Sequence, residues 1–436
     1  VKTMWVSTFH SACVRILRAN ADALGYPRQF SIYDAADTNR LTSYVIRDLG
    51  LDPKRFTPRG VHAIISLWKN ELIDPDEAQR RAQNIFDRKH ADVYAEYQAR
   101  LLKAGAMDFD DLLTNTVKLF RERGDVLEHY RQRFEHILVD EYQDTNQAQN
   151  ELVLLLADGH RNVCVVGDTD QSVYRFRGAD FRNILEFEEA FPDVTTVILD
   201  QNYRSTQTIL DAANAVIDNN VERKPKSLWT DSGMGERIVR YHAEDEGDEA
   251  TWVAGTARQL HADDATNFRE MAVLYRTNAQ SRVVEEAFMR LGVPYKVVGG
   301  TRFYDRREIK DAMAYLRAVI NPADEVSVKR VLNVPKRGIG DASVAKLDAL
   351  AATEGIAFAD ALRRADEAGI TGPAVRGIAS FVDLLDSMAT VVADPDQGPG
   401  DVLQAALDGS GYLAELEAED TIEAHTRIEN LGELVG

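Results

Sequence analysis

The sequence predicts an α/β protein built on parallel sheet and carrying large helical insertions. Three observations predict it. Short apolar runs at 137–139, 163–166 and 197–199 each end at an acid or polar turn, namely Asp140, Gly167-Asp168 and Asp200-Gln201. Helical patterns at 146–157 and 180–191 fill the gaps between them. Strand–helix alternation of this kind implies right-handed parallel crossovers and a doubly wound sheet. Finally, the stretch before about residue 107 and the tail after about residue 323 are helical in pattern.

In chain order, the first segment has helical stretches at 10–24, 35–49 and 92–103, with Pro53, Pro58 and Pro75 punctuating the loops. The run 137–139 is a short β-branched strand that reads as buried. Thr145 or Asn146 caps the helix after it. A second α/β unit follows, in which Ser205 caps a helix with Ile209, Ala213, Val216 and Ile217 on one face. Residues 237–241, 271–275 and 295–298 read as its strands, and 308–320 as a helix before Asn321-Pro322. The acidic helical tail is interrupted at 334–340 and 394–400.

A chain of 436 residues with 44% hydrophobic and 28% charged residues builds two or three cored domains and is not a disordered polypeptide. Two cysteines, Cys13 and Cys164, exclude a disulfide framework and fit a reducing cytoplasm. No apolar run reaches the length of a membrane span. The net charge of −20 argues against a uniformly basic nucleic-acid binder. The charge is uneven, however. Residues 276–337 hold 13 Lys/Arg against 7 Asp/Glu, and 338–436 hold 5 against 19, so a basic channel in an acidic protein is allowed. A solvated surface with chance clustering gives the same counts.

The most informative stretch is VDEYQDT at 139–145, where the apolar run meets Asp140 and Glu141. Ligands gather at the carboxyl ends of strands in open α/β sheets. Adjacent acids there suit one to hold Mg²⁺ on a nucleotide and the other to orient or deprotonate water. A strand that simply ends in solvated acids has the same dipeptide. No Gly-Lys pair occurs anywhere, so the phosphate-cradling G-x-x-x-x-G-K-[ST] loop is missing from these residues.

After the second run, Gln171 can touch both a γ-phosphate and a water, and Phe176 between Arg175 and Arg177 suits stacking on a base beside a phosphate. Arg204, at a helix entrance, suits an arginine finger and Tyr203 a purine stack, though Arg204 can equally pair with Asp200. Ser7 to Ser11 make a hydroxyl-rich helix start, which serves phosphate binding or plain capping. Arg276 and Asn278 end another run with phosphate-compatible side chains. Lys336, Arg337, Gly338 and Gly340 suit gripping a duplex backbone, or form a surface turn. The nine histidines show no paired metal-ligand spacing.

Order and spacing then matter more than any one motif. STFHSACVRIL, DFDDLL, VDEYQDTNQAQ, VVGDTDQSVYRFRGAD, LDQNYRS, LYRTNAQSR, FYDRREIKD and VPKRGIG together resemble the UvrD/PcrA/Rep family of superfamily 1 DNA helicases, over nearly the whole chain. The resemblance implies two RecA-like (P-loop NTPase) motor domains with ATP between them, each carrying a mainly helical accessory insertion. On that basis the first motor takes 1–24 and 108–202 and its insertion 25–107. The second motor takes 203–320 and its insertion 321–436. Both motors are expected to be incomplete, because the Walker A motif and the last family motifs are not in this sequence.

The resemblance also implies roles. Asp140 holds Mg²⁺, Glu141 is the general base, Gln171 senses the γ-phosphate, Tyr203 stacks on adenine and Arg204 meets the γ-phosphate. Glu141 and Arg204 are thus expected to converge on one triphosphate. Phe9, His10, Phe109, Tyr174, Phe176, Arg177, Arg276 and Asn278 match positions near the DNA track, and Lys336, Arg337, Gly338 and Gly340 a duplex-contacting turn. The family usually has tryptophan at the position of Phe176, and phenylalanine offers less stacking area. The implied protein is a cytoplasmic, ATP- and Mg²⁺-dependent 3′–5′ helicase or translocase. Its partners are single-stranded DNA, single/double-strand junctions and repair proteins, and it acts as monomer or dimer. These 436 residues alone are expected not to hydrolyse ATP appreciably. The competing readings are a DNA-binding or scaffold module without a motor, and the helicase part of a RecB/AddA-like helicase–nuclease.

Overall fold

The computed structural model describes residues 4–172, 182–220, 226–263, 266–277, 280–298, 304, 306–419 and 421–435. The chain divides into two compact units, Val1–Thr196 with Arg307–Gly436, and Val197–Arg306.

The first unit begins with α1 (Phe9–Asn20), β1 (Ser31–Tyr33), α2 (Ala35–Asp48), α3 (Pro58–Asn70), α4 (Pro75–Arg81) and α5 (Ile85–Lys103). It continues with β2 (Ala106–Asp108), α6 (Phe109–Glu122), α7 (Gly124–Arg133), β3 (Ile137–Val139), α8 (Gln147–Ala157), β4 (Val163–Val165) and α9 (Asn183–Ala190). Polar caps set these helix starts. Asp34, Thr57, Asp74 and Asn84 each accept a backbone N–H from the first turn of α2, α3, α4 and α5. Asn146, one of the two expected caps, closes a reciprocal box with Gln149 on α8.

Two parallel two-stranded sheets form among the described residues. β1 pairs with β2, Ser31 opposite Ala106, and β3 pairs with β4, Ile137 opposite Val163. The β3–β4 pair is the crossover expected from sequence, with α8 as its connection. The β1–β2 pair was not expected, and it joins the two ends of the helical insertion. The insertion builds its own core from Tyr33, Leu41, Val45, Val61, Ile65, Tyr94, Tyr97 and Leu101. A second core lies among α1, α6, α7 and α8, and a third where β3 meets α8 and α9.

Three expectations need correction. Residues 137–139 are not buried throughout. Val139 is buried, but Leu138 and the facing Cys164 are exposed, because side chains alternate along a strand and only one face of the pair is covered. Residues 197–199, 237–241, 271–275 and 295–298 form no strands among the described residues. A strand exists only through a neighbouring backbone, and among its described residues the second unit has a single parallel bridge, Gln201 with Trp229. Its apolar runs stay open, with Leu274 89% and Val298 84% exposed. Finally, Thr206 rather than Ser205 precedes the helix there.

That second unit holds α10 (Gln207–Ile217), α11 (Glu246–Asp263) and α12 (Ser281–Leu291), with Ala250, Ala254 and Ala287 packed between the last two. The rest of the first unit is helical: α13 (Arg307–Ile320), α14 (Glu325–Val331), α15 (Asp341–Glu354), α16 (Phe358–Arg363), α17 (Pro373–Ala393), α18 (Pro399–Ser410), α19 (Tyr412–Glu419) and α20 (Ile422–Val435). Its core includes Tyr315, Leu347, Phe358, Phe381 and Met388. It joins the earlier insertion through polar contacts. Tyr33 donates to Asp324 at 2.5 Å, Arg317 to Asp37 at 2.9 Å, and Asn321 to the Ala104 carbonyl at 2.7 Å. Among the described residues no helix is long and apolar enough to cross a membrane.

Candidate active site

The acid turn grows directly from β3. Val166 donates to the Val139 carbonyl at 2.8 Å and Tyr142 to the Val166 carbonyl at 2.9 Å, so strand pairing continues into the turn. Glu141 sits in the left-handed region at φ +52°, a conformation costing a side-chain-bearing residue about 1–3 kcal/mol. The fold below holds it there. Buried Tyr142 donates to Asn150 at 2.5 Å, Thr145 donates to the Tyr142 carbonyl at 2.7 Å, and Asn183 donates to the Thr145 carbonyl at 2.8 Å. Asp140 and Glu141 are left exposed at the strand end.

Gln143, buried beneath them, ties this turn to the end of β4. Its amide nitrogen donates to Glu141 Oε2 at 2.7 Å, and its amide oxygen accepts the Asp168 N–H at 2.8 Å. Asp168 accepts in turn from the Gln171 side chain at 2.8 Å. Glu141, Gln143, Asp168 and Gln171 therefore form one hydrogen-bonded array across two strand ends. Gly167 makes room for it, since a Cβ there would lie 3.0 Å from Gln143 Oε1.

The donor set suits a hard divalent cation: exposed carboxylates on a rigid turn, with oxygen ligands only. Asp144 adds an unexplained group, because its buried Oδ1 has no hydrogen-bond partner. Burial and then the Glu141 charge push the Asp144 carboxyl upward, so a nearby cation or bound water would relieve it. No cluster of three or more His, Cys, Asp or Glu side chains with metal-site geometry occurs among the described residues.

A second feature lies at the starts of α1 and α6. Thr8 caps α1, accepting from Ser11 at 3.3 Å. His10 meets Phe109 edge to face, with ring centroids 5.8 Å apart, and Phe109 is half exposed. Burial lowers the His10 pKa, which favours the neutral ring. Phe9 packs partly on the cores beneath. The result is an aromatic surface beside a helix N-terminus.

Below Phe109 lies a buried charge cluster. Lys69, 1% exposed, donates to Asp108 at 2.7 Å and Asp111 at 2.8 Å. Asp108 and Asp111 also form the capping box of α6, and Tyr97 and Gln98 complete their hydrogen bonding at 2.9 Å each. Burial alone would lower the Lys69 pKa and raise that of Asp108, but their mutual attraction reverses both shifts. Burial and the Asp108 charge push Asp110 and Asp111 up to about 6. These two groups bind more protons folded than unfolded between pH 4 and 6, so their stabilisation is lost as pH rises through that window. The contribution of these two groups to the urea midpoint is expected to fall from pH 4 to pH 6 at constant ionic strength. Asp110→Asn should flatten that slope; an unchanged slope would show that Asp110 does not titrate there.

Tyr203 and Arg204 belong to the second unit and are both exposed, Tyr203 by 82%. Asn202 organises their turn by accepting the N–H groups of Arg204 and Ser205 at 2.9 and 2.8 Å, and Tyr203 donates to Gln201 at 2.8 Å. The Arg276 N–H donates to Gln280 at 2.9 Å. Tyr174, Phe176, Arg177 and Asn278 lie outside the described residues.

In the 336–340 turn, Lys336, Gly338 and Gly340 are exposed, but Arg337 turns inward. Its guanidinium donates to the carbonyls of Val331, Leu332 and Pro335, and to Tyr315 Oη at 2.7 Å. It thus satisfies the C-terminal carbonyls of α14, a local duty that competes with any phosphate contact. The turn is clamped on α17, where a Cβ at Gly377 would lie 2.1 Å from the Arg337 carbonyl oxygen.

Sequence reasoning missed Gln143 and Lys69. A signal existed for Lys69, which continues the apolar stripe Val61–Ile65 at four-residue spacing and so faces the core. Gln143 carried none beyond its place between two acids.

Comparison with known proteins agrees with the motif order. Residues 1–192 match the UvrD/REP helicase N-terminal domain, and 197–368 the UvrD-like helicase C-terminal domain. The chain is 46% identical over 432 residues to the ATP-dependent DNA helicase PcrA of Bacillus subtilis, covering 99% of this chain and 58% of that protein. It is 46% identical over 434 residues to PcrA of Staphylococcus aureus strain Mu50, covering 100% of this chain and 59% of that protein. Staphylococcus epidermidis PcrA is 45% identical over 434 residues. The chain therefore spans under two thirds of the length of these relatives. With both models falling in order on one chain, and near-half identity along its whole length, the chain belongs to the UvrD/PcrA/Rep family of superfamily 1 helicases.

Proposed function

We propose that the full-length protein is an ATP-dependent DNA helicase or translocase that moves 3′ to 5′ on single-stranded DNA, in repair or replication. One observation carries this reading: the array Glu141–Gln143–Asp168–Gln171 across the ends of β3 and β4. A binding or scaffold module has no use for a water-activating carboxylate linked to a phosphate-sensing amide. Relatives of near-half identity are named ATP-dependent DNA helicases.

In this reading Asp140 holds Mg²⁺ on ATP, and Glu141 takes the proton from the attacking water. Bound Mg²⁺ supplies charge neutralisation on the β- and γ-phosphates. Gln171 contacts the γ-phosphate and reports its loss through Asp168 and Gln143. Tyr203 stacks on adenine, and Arg204 stabilises charge on the transferred phosphoryl group. Phe9, His10 and Phe109, with Arg276, form part of the single-strand track, where stacking and phosphate contacts are sequence-tolerant. Lys336 and the backbone of Gly338 and Gly340 meet duplex, with Arg337 bracing the turn. We further propose motor segments 1–24 with 108–202, and 203–320, with insertions 25–107 and 321–436.

The test is ATP turnover by the full-length protein with and without single-stranded DNA. Tyr203→Ala should raise the KM for ATP about tenfold, the worth of one aromatic stack. Absence of DNA-stimulated turnover in the full-length protein overturns the reading. The 436 residues alone, which contain no Gly-Lys pair, should show none.

A further inference from the structure

The last two residues of α3 face two different places. Lys69 reaches the start of α6, where it binds the capping acids Asp108 and Asp111 directly behind Phe109. Asn70 donates to the Ser66 carbonyl at 2.7 Å and to Asp110 at 3.4 Å, while its side-chain oxygen accepts from Asn146. Asn146 caps α8 and directly follows the acid turn, accepting from the Gln149 N–H at 2.9 Å. The helical insertion therefore presents adjacent side chains to the aromatic surface at Phe109 and to the helix that anchors Asp140 and Glu141. The contacts are buried or half-buried, which shields them from competing water.

We propose that Lys69 and Asn70 are positioning residues that couple the single-strand surface at His10 and Phe109 to the acid turn, so that DNA bound on the first raises ATP turnover at the second. This rests on the function proposed above. A base stacked on Phe109 fixes the start of α6, the Asp110 and Asp111 carboxylates hold the end of α3, and Asn70 passes that constraint to Asn146. The link is a contiguous hydrogen-bonded path, and a coupling measurement decides whether it transmits.

The experiment uses the full-length protein and two variants that spare the catalytic groups. Asn70→Ala removes the link from one side. Asn146→Ser removes it from the other while keeping a side chain that caps α8. ATP turnover is measured without DNA and with saturating dT homopolymer, alongside the melting temperature and the Kd for the same strand. Each variant should keep DNA-free turnover and Kd within about twofold of the parent and lose at least fivefold of the DNA stimulation. The double variant should lose no more than either single one, because both cut one path. Stimulation equal to the parent in a folded Asn146→Ser protein overturns the proposal, as do losses that multiply in the double variant. A parent protein with no DNA-stimulated turnover would instead overturn the functional reading, so the two failures are distinct.

Discussion

Glu141→Gln in the full-length protein is expected to lower DNA-stimulated ATP turnover by about 10²–10⁴-fold, the usual worth of a general base. The geometry makes this a clean chemical substitution. Glutamine tolerates the left-handed backbone at φ +52° as well as glutamate does. Its amide oxygen can still accept the 2.7 Å hydrogen bond from Gln143, so the array to Asp168 survives. What disappears is the ability to take a proton. The Kd for single-stranded DNA should stay within about twofold, because the substitution leaves Phe9, His10 and Phe109 unchanged. Phosphate release under saturating DNA reads the result, and unchanged turnover would assign the base elsewhere.

Lys69→Met is expected to cost about 3–5 kcal/mol of folding stability, the penalty for breaking a buried ion pair from one side. Methionine fills much of the lysine's volume but leaves Asp108 and Asp111 facing each other without a cation. Both carboxyls also hold the α6 cap, so the loss spreads into the start of that helix. The triple variant Lys69→Met, Asp108→Asn, Asp111→Asn should recover at least half the loss. Asparagine still caps and carries no charge. Urea denaturation at pH 7 measures both. A single variant as stable as the parent would show that the cluster contributes no net ion-pair stability.

The acid turn was legible because its signal is local: an apolar run, then two carboxylates, then a capping residue, all within ten positions. The β3–α8–β4 crossover was legible for the same reason. The Lys69 cluster was not, because its partners lie 39 and 42 residues away and only the fold brings them together. β1 and β2 escaped notice because SIY and AMD are three residues each and show no alternation. The second unit shows the opposite error. Its apolar runs have strand composition, but a ladder needs a neighbour, and none is supplied among the described residues. Arg337 had the right charge in the right turn, yet unsatisfied carbonyls at the end of α14 claim its guanidinium.

The pairing of β1 with β2 brings Ser31 beside Ala106, about one strand spacing or roughly 4.8 Å apart. Everything from α2 to α5 therefore leaves and re-enters the host through a single narrow gate. Such a segment behaves as a cassette: evolution can lengthen, trim or exchange it while the host's strand register stays put. That freedom is limited where the insertion is tied to the rest of the first unit: at the end of α3, at Tyr97 and Gln98 of α5, and at Asp37 of α2, which accepts from Arg317.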